Sequence, residues 1–194
     1  MNFIFTDEQI QFKDAIKSFL TDECTPKSIR DGWEAKQSFN LDRWQSLLEL
    51  GVLNSNLPED KGGLGLDQVT LALMVEEMGY AGLPEPAAEQ TFLINDLMPL
   101  LPCSISQAIE ENYDAGTKYI SIAHPLAPNP LFLKNSAGLI VFGESECKFI
   151  TKDDMDFEII SSNDPSREIY KINSIRNSIS SSENFEKINS FKFR

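Results

Sequence analysis

The stretch from Leu48 to Gly82 reads LELGVLNSNLPEDKGGLGLDQVTLALMVEEMGYAG, and its punctuation decides the fold. An amphipathic run ends at Gly51, a turn rich in Pro and Gly follows, and a second helix is expected from about Asp67 to Met78. Pro58 fixes φ, while Gly62, Gly63 and Gly65 supply backbone conformations or close approaches that residues with side chains resist. Asp67 is placed to cap the second helix, and Gly79 to stop it. The interior of that helix (Val69, Leu71, Ala72, Leu73, Val75) is apolar nearly all round, which makes it the central helix of its domain.

Upstream, Phe5-Thr6-Asp7-Glu8-Gln9 reads as a hydrophobic staple and capping box. Ile10, Phe12, Ala15, Ile16, Phe19 and Leu20 then recur at helical spacing. Pro26 opens a further helix carrying Ile29 and Trp33, and another begins near Asn40-Leu41-Asp42 with Trp44, Leu47, Leu48 and Leu50 on its apolar side. Downstream, Leu83-Pro84-Glu85-Pro86 breaks the chain, and helix resumes from Ala87 to about Leu97, ended by Pro99 and Pro102. Ser104 or Ser106 is expected to cap a last helix closed by Gly116.

At Lys118 the period changes from helical to alternating. Tyr119–Ala123, Leu139–Phe142, Lys148–Thr151, Phe157–Ile160 and Glu168–Ile172 read as strands of a small antiparallel β domain, with an edge near Leu139–Phe142 left open. After Asn173 the apolar density falls, and Ser178–Glu183 is Ser-rich. The fold class is therefore α+β: a helical domain of about six helices over 1–117, a reduced β domain over 118–173, and a linker or tail over 174–194.

Composition bounds the function. The 194 residues are 41% hydrophobic, enough for a real core, and the net charge of −13 disfavours nonspecific binding to nucleic acid or anionic lipid. From Gly62 through Thr117 there is no Lys, Arg or His, so that stretch cannot grip a phosphate by side-chain charge. Cys24, Cys103 and Cys147 form no CxxC pair, which fits reduced thiols and a cytoplasmic location. No apolar run approaches the length of a membrane span, and the opening residues lack the basic region of a secretory leader. No metal site is expected.

The central stretch resembles the N-terminal helical domain of flavin-dependent acyl-CoA dehydrogenases. Trp44, Leu47, Gly51, Val52, Pro58, Glu59, Gly62, Gly63, Gly65, Asp67, Glu76, Glu77, Met78 and Gly79 fill in order the pattern W-x-x-L-x-x-L-G-(V/L), then (L/V)-P-E-x-x-G-G-x-G-x-(D/S), then E-E-(L/M)-G. The resemblance extends from about Phe3 to Ile172 and weakens after Pro86. It implies FAD as cofactor and an acyl-CoA thioester as substrate, in fatty acid or steroid side-chain degradation. The family's C-terminal helical domain, which usually carries the catalytic base, has no counterpart here, so no catalytic residue is expected in this chain. Where the family has a T-E-P motif against the flavin, this chain has Ala123-His124-Pro125, and these are the expected cofactor contacts. The family's G-x-K-x-W-I element looks deleted, since the chain runs from Leu126–Ser136 directly into Ala137–Val141. Asp164-Pro165-Ser166-Arg167 is similar to a late β-domain turn of divergent members, including subunits of heteromeric enzymes.

The remaining candidates divide between chemistry and packing. Leu73, Met74 and Met78 are candidate acyl-pocket residues, though such a stripe is ordinarily core. Adjacent Glu76 and Glu77 point about 100° apart on a helix and cannot converge on one atom, so one is solvated and the other meets a neighbouring helix. Gly62-Gly63-Leu64-Gly65 follows no strand and lacks the dinucleotide-binding context. Three functions follow from the resemblance: a dehydrogenase subunit or fragment, inactive alone, that takes its base and most FAD contacts from a partner chain; a non-catalytic scaffold or regulatory subunit; or an acyl-chain binding module without flavin. The first two imply a homo- or hetero-oligomer with a chain supplying the C-terminal domain.

Overall fold

The computed structural model describes residues 4–186 and 188. Chain contacts divide it after Thr91 into two compact units.

The first unit holds α1 (Asp7–Glu23), α2 (Pro26–Ala35), α3 (Leu41–Glu49) and α4 (Gln68–Ala81), with α1 packed along α4. The capping box forms as the sequence dictates: Gln9 N–H donates to the Thr6 hydroxyl at 3.2 Å, and Thr6 N–H to the Gln9 carboxamide at 3.0 Å. Gln9 also reaches Asp67, whose other oxygen caps α4 by accepting from Val69 and Thr70 N–H at 2.8 and 2.9 Å. The starts of α1 and α4 are thus tied together. Trp44, Leu47 and Leu53 are fully buried, and Phe39 meets Trp44 with ring centroids 5.3 Å apart.

The Pro/Gly turn behaves as its residues require. Gly62 and Gly65 take positive φ, and a Cβ on Gly63 would collide with the carbonyl of Leu57. Gly65 and Leu66 N–H close the turn on Leu57 and Ser55 carbonyls at 2.8 and 2.9 Å. The stop of α4 is not Gly79, which lies inside the helix. The chain continues to Ala81 and ends at Gly82, whose φ of 67° places it in the left-handed region while Leu83 N–H bonds back to the Met78 carbonyl. An interior glycine costs only about 1 kcal/mol, and the left-handed cap decides the terminus.

The second unit begins with a π-helical turn (Glu89–Ile94 straddles the division), then α5 (Asn95–Leu97) and α6 (Cys103–Asn112). Neither Ser104 nor Ser106 caps α6. Pro102 stands at its N-cap without a side-chain hydrogen bond, and both serines lie inside the helix. Leu97, Leu101, Ile105 and Ile109 pack into one core with Ile120, Ile140, Phe142 and Phe149, so these helices belong with the sheet. The contacts therefore part the chain after Thr91 rather than after Thr117: the periodicity changes at Lys118, but α6 buries its apolar face on strands.

The strands are β1 (Tyr119–Ala123), β2 (Ser136–Phe142), β3 (Cys147–Thr151), β4 (Met155–Ile160), β5 (Ile169–Ile175) and β6 (Ile179–Ser181). A four-stranded sheet runs in the order β1-β2-β3-β6, and β4 and β5 form an antiparallel pair. The sheet is mostly antiparallel, but β1 and β2 run parallel, because residues 124–135 cross back to the end where β1 began. Leu139–Phe142 is not an open edge: β2 is paired on both sides, by β1 and β3, which matches its continuous apolar sequence. Gly138 admits close packing, since a Cβ there would sit 2.5 Å from the Ile150 carbonyl oxygen. β6 stands in the stretch read as linker or tail, with Ile179 opposite Phe149. Of that tail, Lys187 and 189–194 lie outside the described residues, as does Phe3 at the start of the resemblance. The opposite face of the sheet buries Ala123, Leu133, Leu139, Ile150, Met155 and Tyr170. Among the described residues, no helix is long and apolar enough to cross a membrane.

Candidate functional site

A cleft of about 550 Å³ opens in the second unit where β1 ends. One wall is Ala123, His124, Pro125 and Pro128, continued by Val141 and Phe142 of β2; the other is Ile172–Ile175 of β5. The turn after β1 closes on itself: His124 N–H donates to the Ala127 carbonyl at 3.1 Å, and Ala127 N–H returns to the His124 carbonyl at 2.8 Å. Leu126 N–H donates to His124 Nδ1 at 3.2 Å. A neutral imidazole that accepts at Nδ1 carries its proton on Nε2, so this ring has a donor to offer there.

The structure thus gathers Ala123, His124 and Pro125 in one cleft. Leu73, Met74 and Met78 are elsewhere, as buried core side chains of α4. The cavity of the first unit, about 480 Å³, is lined by α2, residues 37–40, the start of α3 and Pro84, and does not include them. Glu76 and Glu77 part as helical geometry requires: Glu76 is exposed and Glu77 buried, and Lys13 of α1 bridges both at 3.2 and 3.3 Å. Asp164 and Arg167 are joined through the turn backbone, Arg167 N–H to the Asp164 carbonyl at 3.1 Å.

Two features escape a reading of local spacing. Arg43 and Glu85 form a buried two-pronged ion pair, Nε to Oε2 at 2.8 Å and Nη2 to Oε1 at 2.7 Å. Glu85 also accepts from Asn40 N–H at 2.8 Å. The one available signal was a glutamate set in the apolar run Leu-Pro-Glu-Pro-Ala-Ala. The other feature is the bulge in β5 at Asn173, described below. Burial pushes the Cys24 thiol up to about 11, which disfavours its thiolate.

A sequence profile described as "Acyl-CoA dehydrogenase, N-terminal domain" matches residues 6–96. Residues 6–96 belong to that family. Over 81 residues the chain is 33% identical to "Probable acyl-CoA dehydrogenase YngJ" of Bacillus subtilis, covering 42% of this chain and 21% of that protein. Among solved structures, the ChsE4-ChsE5 complex from Mycobacterium tuberculosis superposes with a TM-score of 0.73 at 12% identity, covering 100% of this chain and 61% of the other. An acyl-CoA dehydrogenase from Geobacillus kaustophilus gives a TM-score of 0.73 at 13% identity, covering 92% and 58%. At these identities the structural likeness shows the fold: the helical N-terminal and middle β domains of acyl-CoA dehydrogenases. The matched stretch spans about a fifth of the curated relative's length.

Proposed function

We propose that this chain is a subunit or fragment of a cytoplasmic flavin-dependent acyl-CoA dehydrogenase, one that contributes a flavin-facing wall and leaves proton abstraction to another chain or segment. The composition of the cleft supports this reading. Its lining is apolar except for His124, Asn173 and Ser174, and contains no Asp, Glu, Lys or Arg. Such walls suit one face of a flat aromatic ring, with a few polar groups to orient it.

Bound FAD would supply the two-electron acceptor for 2,3-dehydrogenation of an acyl-CoA. Ala123, Pro125, Pro128 and Val141 would exclude water from the ring, and His124 would donate through Nε2. With no carboxylate in the lining, the group that removes the α-proton comes from outside the cleft. With no cation there either, the pyrophosphate of FAD would be held by backbone N–H groups or by a partner's donors. The likeness to a two-protein complex supports the heteromeric form of this proposal. Leu73, Met74 and Met78 would shape an acyl pocket only through the packing of α4.

The direct connection from β1 through residues 124–135 to β2, with no strand between, favours a second reading: a scaffold subunit that kept the fold and lost the flavin. Purification alone and with the product of the adjacent open reading frame separates the two. Flavin absorbance in the co-purified assembly, with dye reduction by acyl-CoA thioesters there and none by this chain alone, is expected. A flavin-free assembly would establish the scaffold, and turnover by the isolated chain would overturn the division of labour.

A further inference from the structure

Polar groups that face an apolar cleft decide what the cleft can read, and here they are few. The β4–β5 ladder pairs Asp156 with Ser174 and Phe157 with Ile172, so Asn173 is an extra residue on β5 with no partner across the ladder. That is a β-bulge, a device that re-aims a side chain and recurs beside functional sites. The residues around it are held. Ser174 donates to Asp156 at 2.7 Å, Arg176 donates to the same carboxylate at 2.9 Å, and Arg176 also reaches the Asp153 carbonyl. Asn173 itself is exposed, lines the cleft, and its carboxamide makes no hydrogen bond among the described residues. The bulge anchors its flanks and leaves one amide available.

The cleft therefore offers a carboxamide, which donates and accepts side by side, and the imidazole Nε2–H of His124 as a further donor. A carboxamide pairs side by side with an N–H and its neighbouring carbonyl, and a further donor suits a second carbonyl; an imide edge, in which an N–H lies between two carbonyls, offers that set. We propose that Asn173 reads the imide edge of a flavin-class ring bound in this cleft, pairing its amide oxygen with the imide N–H and its amide NH₂ with one flanking carbonyl, while His124 serves the other. This rests on the flavin reading above and assigns a specificity-determining residue to it. Asn173 is a positioning group and takes no part in electron transfer.

The test uses the intact chain and two small probes, lumiflavin and N3-methyl-lumiflavin, followed by quenching of their fluorescence. Methylation removes the imide N–H and blocks the amide pair while leaving the ring and its stacking surface. The wild type is expected to bind lumiflavin about tenfold more tightly than the methylated ring, the worth of one or two net hydrogen bonds. In Asn173→Leu that preference should vanish, with affinity for the methylated ring unchanged. Asn173→Asp, which keeps size and polarity but loses the NH₂ donors, should also bind lumiflavin about tenfold more weakly while its circular dichroism and melting curve match the wild type. Equal binding of the two probes by the wild type, or a preference surviving in Asn173→Leu, overturns the assignment and leaves the flavin reading standing. Failure of the wild type to bind lumiflavin also overturns it, and the flavin reading is then judged by flavin in the co-purified assembly.

Discussion

Glu85→Ala should strongly destabilise the helical unit. The Glu85 side chain is fully buried and Arg43 nearly so, with side-chain exposures of 0% and 5%. The carboxylate accepts three hydrogen bonds, from Arg43 Nε at 2.8 Å, Arg43 Nη2 at 2.7 Å and Asn40 N–H at 2.8 Å. Removing it strands a guanidinium whose remaining contact is a 3.3 Å bond to the Glu23 carbonyl, and leaves the first turn of α3 without an acceptor for Asn40 N–H. Breaking a buried pair from one side costs about 3–5 kcal/mol, mostly the burden of the uncompensated charge. Replacing both partners, as Arg43→Met with Glu85→Leu, should cost far less, because the pair's mutual attraction is offset by its own desolvation. Urea unfolding followed by tryptophan fluorescence isolates this unit, since Trp33 and Trp44 are the chain's only tryptophans and both lie in it. A loss below about 1 kcal/mol for Glu85→Ala, or a double variant as unstable as the single one, would refute the argument.

Leu73→Ala should cost about 2–5 kcal/mol, as Leu73 is buried in α4; a change under about 1 kcal/mol in the same urea assay would show that α4 is not central. Asp67→Ala should cost about 1 kcal/mol by uncapping α4. Backbone donation from Thr70, then the Gln9 and Val69 bonds, holds the Asp67 carboxyl below the usual range, so its contribution is complete above the ordinary carboxylate pKa and is lost as pH falls through the depressed value. Asp67→Asn should flatten that part of the acid dependence, which thermal melts across the acid range would reveal. A thiol reagent at mildly alkaline pH should modify exposed Cys103 in the native protein and reach buried Cys24 and Cys147 only in denaturant; native modification of all three thiols would contradict the packing.

Elements built from contiguous patterns were legible in the sequence. The Thr6 capping box, the Asp67 cap and the Gly62–Gly65 turn each depend on residues a few positions apart, and the chain makes them as read. What the sequence hid is decided by tertiary packing. α6 has an ordinary amphipathic pattern, and nothing in it says that its apolar face meets strands rather than helices. The apolar patterns of β1 and β2 are silent on direction, which the crossover at 124–135 sets. β6 is a three-residue strand in a serine-rich segment, formed because β3 offers an edge to pair with. Ala123, His124 and Pro125 were singled out through the T-E-P resemblance and line one cleft, whereas Asn173 was invisible: a bulge exists only relative to the partner strand.

The turn after β1 accounts for how little charge this cleft offers. Pro125 and Pro128 carry no backbone donor, His124 and Ala127 spend theirs on each other, and Leu126 spends its own on the imidazole. The turn therefore presents almost no free N–H to an anion, and where the family motif has an acidic residue this chain has His124. A site so poor in charge can stack and align an uncharged ring system. In the proposed assembly, holding the pyrophosphate and removing the α-proton fall to another chain or segment, and flavin absorbance and dye reduction with and without the partner test that division.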